Sequence, residues 1–599
     1  MDEFLTGIIF SLFLSFLYGV SVGAQMPGLN GWRLNLRESI LYDLYWAAGY
    51  SIFFLGHGLL LGLVGGLLAL KGVTPEKIRG FYFIICFLGY FYFVAKWTLP
   101  KNELLYLLFA CAATAGLFII FLIIPPPFLL VVALCISFAF LIISAIYTSL
   151  RQKGRVAPGT FEQKEPEGPA QYSRDALPTK ARVVVFGIDG LDWRIMDPLI
   201  REGRLPTLSR LKKDGVWGRL PTLKPISSPN IWTSIATGVA PEKHGICWWQ
   251  KIILPGIRPL PGEPTETACP KDSGALRIIR VLHKRGLIKS IPMRTDDRAV
   301  KAVWGISSEF GKRTASVGWL FSWPAEKVNG CVISWFAFPF NEISLDFLRR
   351  KTSILPHRTY PEDLMDQVEP MIVTQGDLTD EERKNLYLTT ARIDPKRKFA
   401  DKIDLWYLAK DKTFCDISKA ILDKERWDLF TVYLEGADIS CHAYWTFLSQ
   451  ATNIEKHQAE ILSISDSTQF KKDAEHFSKA IPAYYDYLDN QINRLMKAAG
   501  EDATFIILSD HGFNLDGTGH FSGEPDGAII ISGPITRKGA LELKSISVYD
   551  ITPTILYALG IPVAEDMDGR VLEEAFSPDF LREFPVRTIK TFGPPEDII

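Results

Sequence analysis

The chain has 599 residues, of which 47% are hydrophobic, and a formal net charge of −1. That is enough for one large core with apolar material left over. The near-zero charge excludes the bulk basic field of a nucleic-acid binder and the acidic tail of a solvating protein, and the eight cysteines show no CxxC spacing and no disulfide framework.

The apolar residues are concentrated near the start. Five runs, at approximately 5–24, 46–70, 80–99, 103–124 and 128–150, approach the ~20 residues a bilayer-crossing helix needs. Trp46, Trp97, Tyr45 and Tyr106 flank them as interface anchors would, and Pro125-Pro126-Pro127 breaks the last two. Together they predict an α-helical membrane region over 1–150, hence an integral multi-pass protein in contact with a lipid bilayer. Asp2 and Glu3 stand where a signal peptide carries basic residues. One face of such a region would carry Arg33, Arg37, Lys96, Lys101, Arg151, Lys153 and Arg155, which by the positive-inside rule puts the C-terminal domain in the cytoplasm.

Residues 151–180 are polar and rich in Pro and Gly and read as a linker. From Ala181 onward, short β-branched runs alternate with amphipathic helical stretches. ARVVVFGI (181–188), RWDLFTVYLE (426–435), ATFIILS (503–509) and GAIIISG (527–533) read as buried strands; IPAYYDYLDNQINRLMKAAG (481–500) reads as a helix. The alternation predicts an α/β domain over 181–599 with a largely parallel central sheet. Residues 250–300 and 340–425 fit it poorly and are expected to be insertions.

Three of these strands end in chemistry. Ile188 is followed by Asp189, Glu435 by Gly436-Ala437-Asp438, and Ser509 by Asp510-His511. Open α/β sheets bind ligands beyond the carboxyl ends of their strands, so distant segments can deliver side chains to one crevice. Asp438 and His442 share a face if their segment is helical, and His520 follows in the GTGH loop. Three Asp and three His suit Zn²⁺ or Mn²⁺ better than calcium, and six side chains are about right for two ions. Taken singly, each Asp could equally be a helix cap. In PISSPNIWTSIATGVAPEKHGI (225–246), Ser228 precedes Pro229 at the start of a helical stretch. A helix N-terminus favours phosphate, so Ser228 can be a nucleophile there or merely a cap.

GIDGLD, SPNIWTSIATG with the following P..HGI, GADISCH, SDHG and GTGH, in this order, resemble the type I phosphodiesterase/nucleotide pyrophosphatase branch of the alkaline phosphatase superfamily. SVYDITPTILYALGIPVAEDMDGRVL (547–572) resembles its C-terminal signature. The resemblance implies an alkaline phosphatase-like α/β/α sandwich that hydrolyses phosphate esters through a phospho-serine. It implies one metal on Asp438, His442 and His520 and a second on Asp189, Asp510 and His511, with the Ser228 hydroxyl between them. Aligning on Pro229-Asn230 favours Ser227 instead, and Thr233 and Asp192 are remoter alternatives to Ser228 and Asp189. Two departures narrow the expectation: Trp249 stands where the family's phosphate-holding Asn is expected, and Ile231 stands at the Arg position of a sulfatase motif. A phosphotransferase on lipid or envelope substrates, or a non-catalytic membrane scaffold or sensor, are the competing readings. Relatives with several spans hold this domain outside the cytoplasm, against the positive-inside count.

Overall fold

The computed structural model describes residues 35–79, 176–224, 226–254, 289–338, 355–386, 406–452, 475–513 and 526–593, with shorter pieces within 4–20, 81–82, 135–146 and 256–261. The chain divides into two compact units, Met1–Phe161 with Trp249–Ile291, and Glu162–Trp248 with Pro292–Ile599.

In the first unit, helix α1 (Leu36–Leu70) opens on a capping box in which Asn35 Oδ1 accepts from the Glu38 amide at 2.9 Å and Glu38 Oε2 from the Asn35 amide at 3.0 Å. The expected five-helix membrane region is overturned. Among the described residues no helix is long and apolar enough to cross a membrane, and the multi-pass localisation falls with it. An apolar run signals burial, and burial against protein reads the same in sequence as burial in lipid. Here Val20, Ala47 and Leu141, from three of the five runs, pack on one another. The runs at 80–99 and 103–124 lie almost wholly outside the described residues, as does most of the linker.

The second unit is built on a nine-stranded sheet. In chain order its strands are β1 (Arg182–Ile188), β2 (Val216–Leu220), β3 (Thr314–Val317), β4 (Gly330–Ile333), β5 (Thr359–Tyr360), β6 (Leu429–Leu434), β7 (Ala503–Leu508), β8 (Gly527–Ser532) and β9 (Leu541–Leu543). Their spatial order is β9-β2-β8-β7-β1-β6-β3-β4-β5. The run β7-β1-β6-β3-β4 is parallel throughout, so the α/β reading with a largely parallel sheet fits; β8 runs antiparallel to β7 and β2, and β5 antiparallel to β4. β1, β6 and β7 are buried at every position, as near-continuous apolar strands covered on both faces must be.

The helices that matter for the site are α2 (Trp193–Arg201), α3 (Ser228–Thr237), α4 (Trp406–Lys424), α5 (Gly436–Thr452) and α6 (Ala480–Ala499). The stretch 340–425, which breaks the alternation in sequence, ends in α4. That helix packs against β6, α5 and α6 as part of the core. Residues Gln250–Ile253, Leu260–Pro261 and Lys289–Pro292 form a separate three-stranded sheet.

Candidate metal centre

β1 lies between β6 and β7 and parallel to both, so the carboxyl ends of all three open on one edge. The Asp189 amide donates to Leu434 O at 2.9 Å, and the Asp438 amide to Asp189 O at 3.0 Å. Main-chain bonds thus tie the end of β1 to the end of β6. Asp189, Asp438 and His511 are buried, and one potential ligand atom from each lies within 4.8 Å of the others.

The hydrogen bonds around these groups are lopsided. Asp189 Oδ2 accepts from the Tyr433 hydroxyl at 2.6 Å and from Trp232 Nε1 at 3.1 Å. Among the described residues its buried Oδ1 accepts no hydrogen bond, and neither does Oδ2 of Asp510, whose Oδ1 accepts from the Gly190 amide at 3.5 Å. His511 Nε2 stands 3.4 Å from the first of these bare oxygens and 3.2 Å from the second. His511 Nδ1 lies 2.7 Å from Gly512 O, which can only accept, so Nδ1 carries the proton. Its Nε2 thus faces two carboxylates and the Ser228 hydroxyl, an arrangement that a bound cation or a proton held between these groups makes favourable. Burial first, and the neighbouring carboxylates second, push Asp189 above its ordinary range and Asp510 well above it. Orphaned carboxylate oxygens, a metal-competent tautomer and mixed nitrogen and oxygen donors fit a divalent transition metal.

His442 sits one turn along α5 from Asp438, with its Nε2 3.4 Å from Asp438 Oδ2. Its ring meets Phe513 edge-on at 4.8 Å. Phe513 is held in turn by Asp192, whose Oδ2 accepts from the Phe513 amide at 3.1 Å and pairs with Arg194 at 2.8 Å. Asp192 also caps α2 by accepting from the Arg194 amide at 2.7 Å. It braces the loop after His511 rather than joining the cluster. His520 lies outside the described residues.

Ser228 opens α3, half-buried, with Oγ 3.4 Å from His511 Nε2. The alternatives point elsewhere. Ser227 Oγ donates to Cys247 O at 3.4 Å, and Thr233 Oγ1 to Pro229 O at 2.8 Å within its own helix. His244 forms the turn of EKHGI: its Nδ1 accepts from the Ile246 amide at 3.1 Å, so its Nε2–H donates to Ser234 Oγ at 3.0 Å. Burial first, and the Arg298 charge second, lower it to about 3.

Reading the sequence alone misses Tyr433 and Trp232 as donors to Asp189. Both lie in segments recognised as a strand and a helix, and a buried phenol or indole N–H needs an acceptor, which is the signal that could have found them.

The model of the type I phosphodiesterase / nucleotide pyrophosphatase family matches residues 183–515, more than half of the chain. The chain belongs to this family. The match takes in Asp189, Ser228, Asp438, His442, Asp510 and His511. Solved structures similar to the chain include a mutant of the alkaline phosphatase PafA (11% identity, 67% of this chain and 100% of that one, TM-score 0.38). Others are a 2-O GAG sulfatase (12%, 66% and 73%, 0.37) and the phosphonate monoester hydrolase SpPMH from Silicibacter pomeroyi (14%, 66% and 76%, 0.32). Among curated proteins none matches.

Proposed function

We propose that this family member is a metal-dependent hydrolase of phosphate esters that works through a phosphorylated Ser228. The observation that carries the reading is the pair of buried carboxylate oxygens, Asp189 Oδ1 and Asp510 Oδ2, that face His511 Nε2 and accept no hydrogen bond among the described residues. Asp189, Asp510 and His511 would hold one divalent ion, and Asp438, His442 and His520 a second, with Zn²⁺ favoured and Mn²⁺ the alternative. When bound, such ions supply Lewis acidity toward phosphoryl oxygens and lower the pKa of a nearby hydroxyl.

The rest of the chemistry belongs to the chain. Ser228 Oγ gives up its proton to solvent and attacks phosphorus, the Oγ–P bond forms, the P–O bond to the leaving alcohol breaks, and that oxygen takes a proton from solvent. Water then cleaves the phospho-serine and restores the hydroxyl. The start of α3 places the positive end of the helix dipole beside Ser228, where it favours a phosphate. Tyr433 and Trp232 hold Asp189 in one orientation through the cycle.

The test is metal analysis of the purified chain together with hydrolysis of an aryl phosphate diester and monoester, before and after chelation. Bound Zn²⁺ or Mn²⁺, with turnover lost on chelation and restored by the ion, is expected. No tightly bound transition metal, with no change on Asp510→Ala, overturns the reading. Release of product only when an alcohol acceptor is added would assign a phosphotransferase instead.

A further inference from the structure

The turn Glu435-Gly436-Ala437-Asp438 joins β6 to α5 and sets the aim of both Asp438 and His442. Beneath it lie two consecutive residues of α4, Lys410 and Asp411, both fully buried. Asp411 Oδ1 accepts from the Glu435 amide at 3.2 Å, and Oδ2 accepts from the Gly436 amide at 3.0 Å and the Tyr484 hydroxyl at 2.7 Å. Lys410 Nζ lies 2.7 Å from Glu435 Oε1 and 4.2 Å from the centre of the Trp335 ring, while Trp335 Nε1 donates to Glu435 Oε2 at 3.1 Å. Lys410 is also within electrostatic reach of Asp189. The first amides of a helix have no acceptor within it and need one cap. This turn is held twice, by a carboxylate on its backbone and by an ammonium on its side chain. Its geometry is tight: a Cβ at Gly436 would run into the Tyr484 hydroxyl and Asp411 Oδ2.

A buried ion pair is a weak source of stability, because desolvating both charges offsets most of their attraction. What it does supply is fixed orientation. We propose that Asp411 and Lys410 are positioning residues for the metal centre, locking the opening of α5 so that Asp438 and His442 stand in ligating orientation before an ion arrives. The inference rests on the metal-dependent reading above. In Asp411→Asn the amide NH2 would confront either the Glu435 N–H or the Gly436 N–H, whichever way the side chain is flipped, so one of the three hydrogen bonds is lost.

The experiment uses the full chain, stripped by chelation and titrated with Co²⁺ against a competing chelator, with visible absorption and thermal melting followed in parallel. The proteins are the wild type, Asp411→Asn, the double variant Lys410→Met/Glu435→Gln, and Asp510→Ala as a control. The double variant replaces the ion pair with neutral groups of similar size, a change that commonly leaves the fold intact, and it decides the matter if Asp411→Asn does not fold. Both variants are expected to bind one Co²⁺ about 10- to 100-fold more weakly, with an altered visible spectrum and a metal-free melting temperature near wild type. Wild-type affinity and spectrum in the variants overturn this inference alone. So does an affinity loss that merely tracks a fall in melting temperature, which would mark a general structural role. A wild-type chain that takes up no Co²⁺ overturns the functional reading, and this inference with it.

Discussion

The main-chain amide of Asp438 donates to the main-chain carbonyl of Asp189 at 3.0 Å, so a candidate ligand just past β1 and one in the first turn of α5 share a backbone hydrogen bond. The contact requires Gly190. That residue has φ +71°, and a Cβ on it would lie 2.7 Å from Asp438 Cα. Gly190→Ala is therefore expected to destabilise the catalytic unit by about 1–3 kcal/mol, through positive-φ strain and steric conflict together. It should also weaken metal uptake by pushing the two strand ends apart. Denaturant unfolding and metal titration of the variant check both; a stable variant with normal metal affinity would show that the strand ends tolerate separation.

Asp510 makes the stability of the metal-free and metal-bound proteins respond in opposite directions. Without an ion, its carboxylate is buried beside Asp189, with one oxygen that accepts no hydrogen bond among the described residues. Asp510→Asn removes that like-charge conflict, so the chelated variant should melt above the chelated wild type, by about 1 °C per kcal/mol for a unit of this size. With metal added, the wild type should gain melting temperature while the variant gains little, because a ligand is lost. Hydrolysis by the variant should fall by on the order of 10²-fold or more. Paired melts in chelator and in Zn²⁺ read out the crossing, and two parallel shifts would argue against an ion at Asp510.

The parallel strands and their acidic ends are legible in the sequence for one physical reason. A strand covered on both faces must be apolar along its whole length, as VVVFGI, LFTVYL and TFIIL are, and a carboxylate directly after such a run stands out. The short strands Thr314–Val317 and Gly330–Ile333 give no such signal, since four residues with a Ser or Gly among them match no template. α4 escapes for another reason. Lys410 and Asp411 are charged residues on its buried side, so the pattern that marks an amphipathic helix is broken where the helix meets the site. The choice between Ser227 and Ser228 turns on one residue of register at a helix start. Pattern cannot fix that; the structure gives the two hydroxyls different partners. The apolar runs before residue 150 misled in the opposite sense, because composition alone does not say whether protein or lipid covers them.

The difference between the two hydroxyls can be tested. With Oγ 3.4 Å from His511 Nε2, Ser228 faces the cluster, whereas Ser227 donates to Cys247 O. Ser228→Ala should lower kcat by about 10³-fold or more while leaving metal content and melting temperature near wild type. Ser227→Ala should cost less than about 10-fold in rate and about 1 kcal/mol in stability. Acid quench during turnover of a ³²P-labelled diester should trap label on wild type and on Ser227→Ala, and none on Ser228→Ala. Label retained by Ser228→Ala would move the nucleophile elsewhere.

His244 makes the fold sensitive to acid by a route separate from the metal ligands. Its ring is buried and neutral, with Nδ1 accepting from the Ile246 amide and Nε2–H donating to Ser234, and its pKa is lowered from 6.5 to about 3. Below pH 6.5 the unfolded chain binds a proton that the folded chain refuses, so this group's contribution is complete above that pH. It is lost progressively as pH falls toward 3, at about 1.4 kcal/mol per unit. His244→Asn keeps an acceptor for the Ile246 amide but has nothing to titrate. At pH 8 it should be less stable than wild type by about 1–2 kcal/mol, through the lost bond to Ser234. Between about pH 6 and 4 the gap should close and then reverse, because only the wild type carries the proton-linked penalty. Urea unfolding of both proteins at a series of pH values in chelator measures the slopes, and parallel slopes would mean that His244 is already charged or exposed in the folded chain.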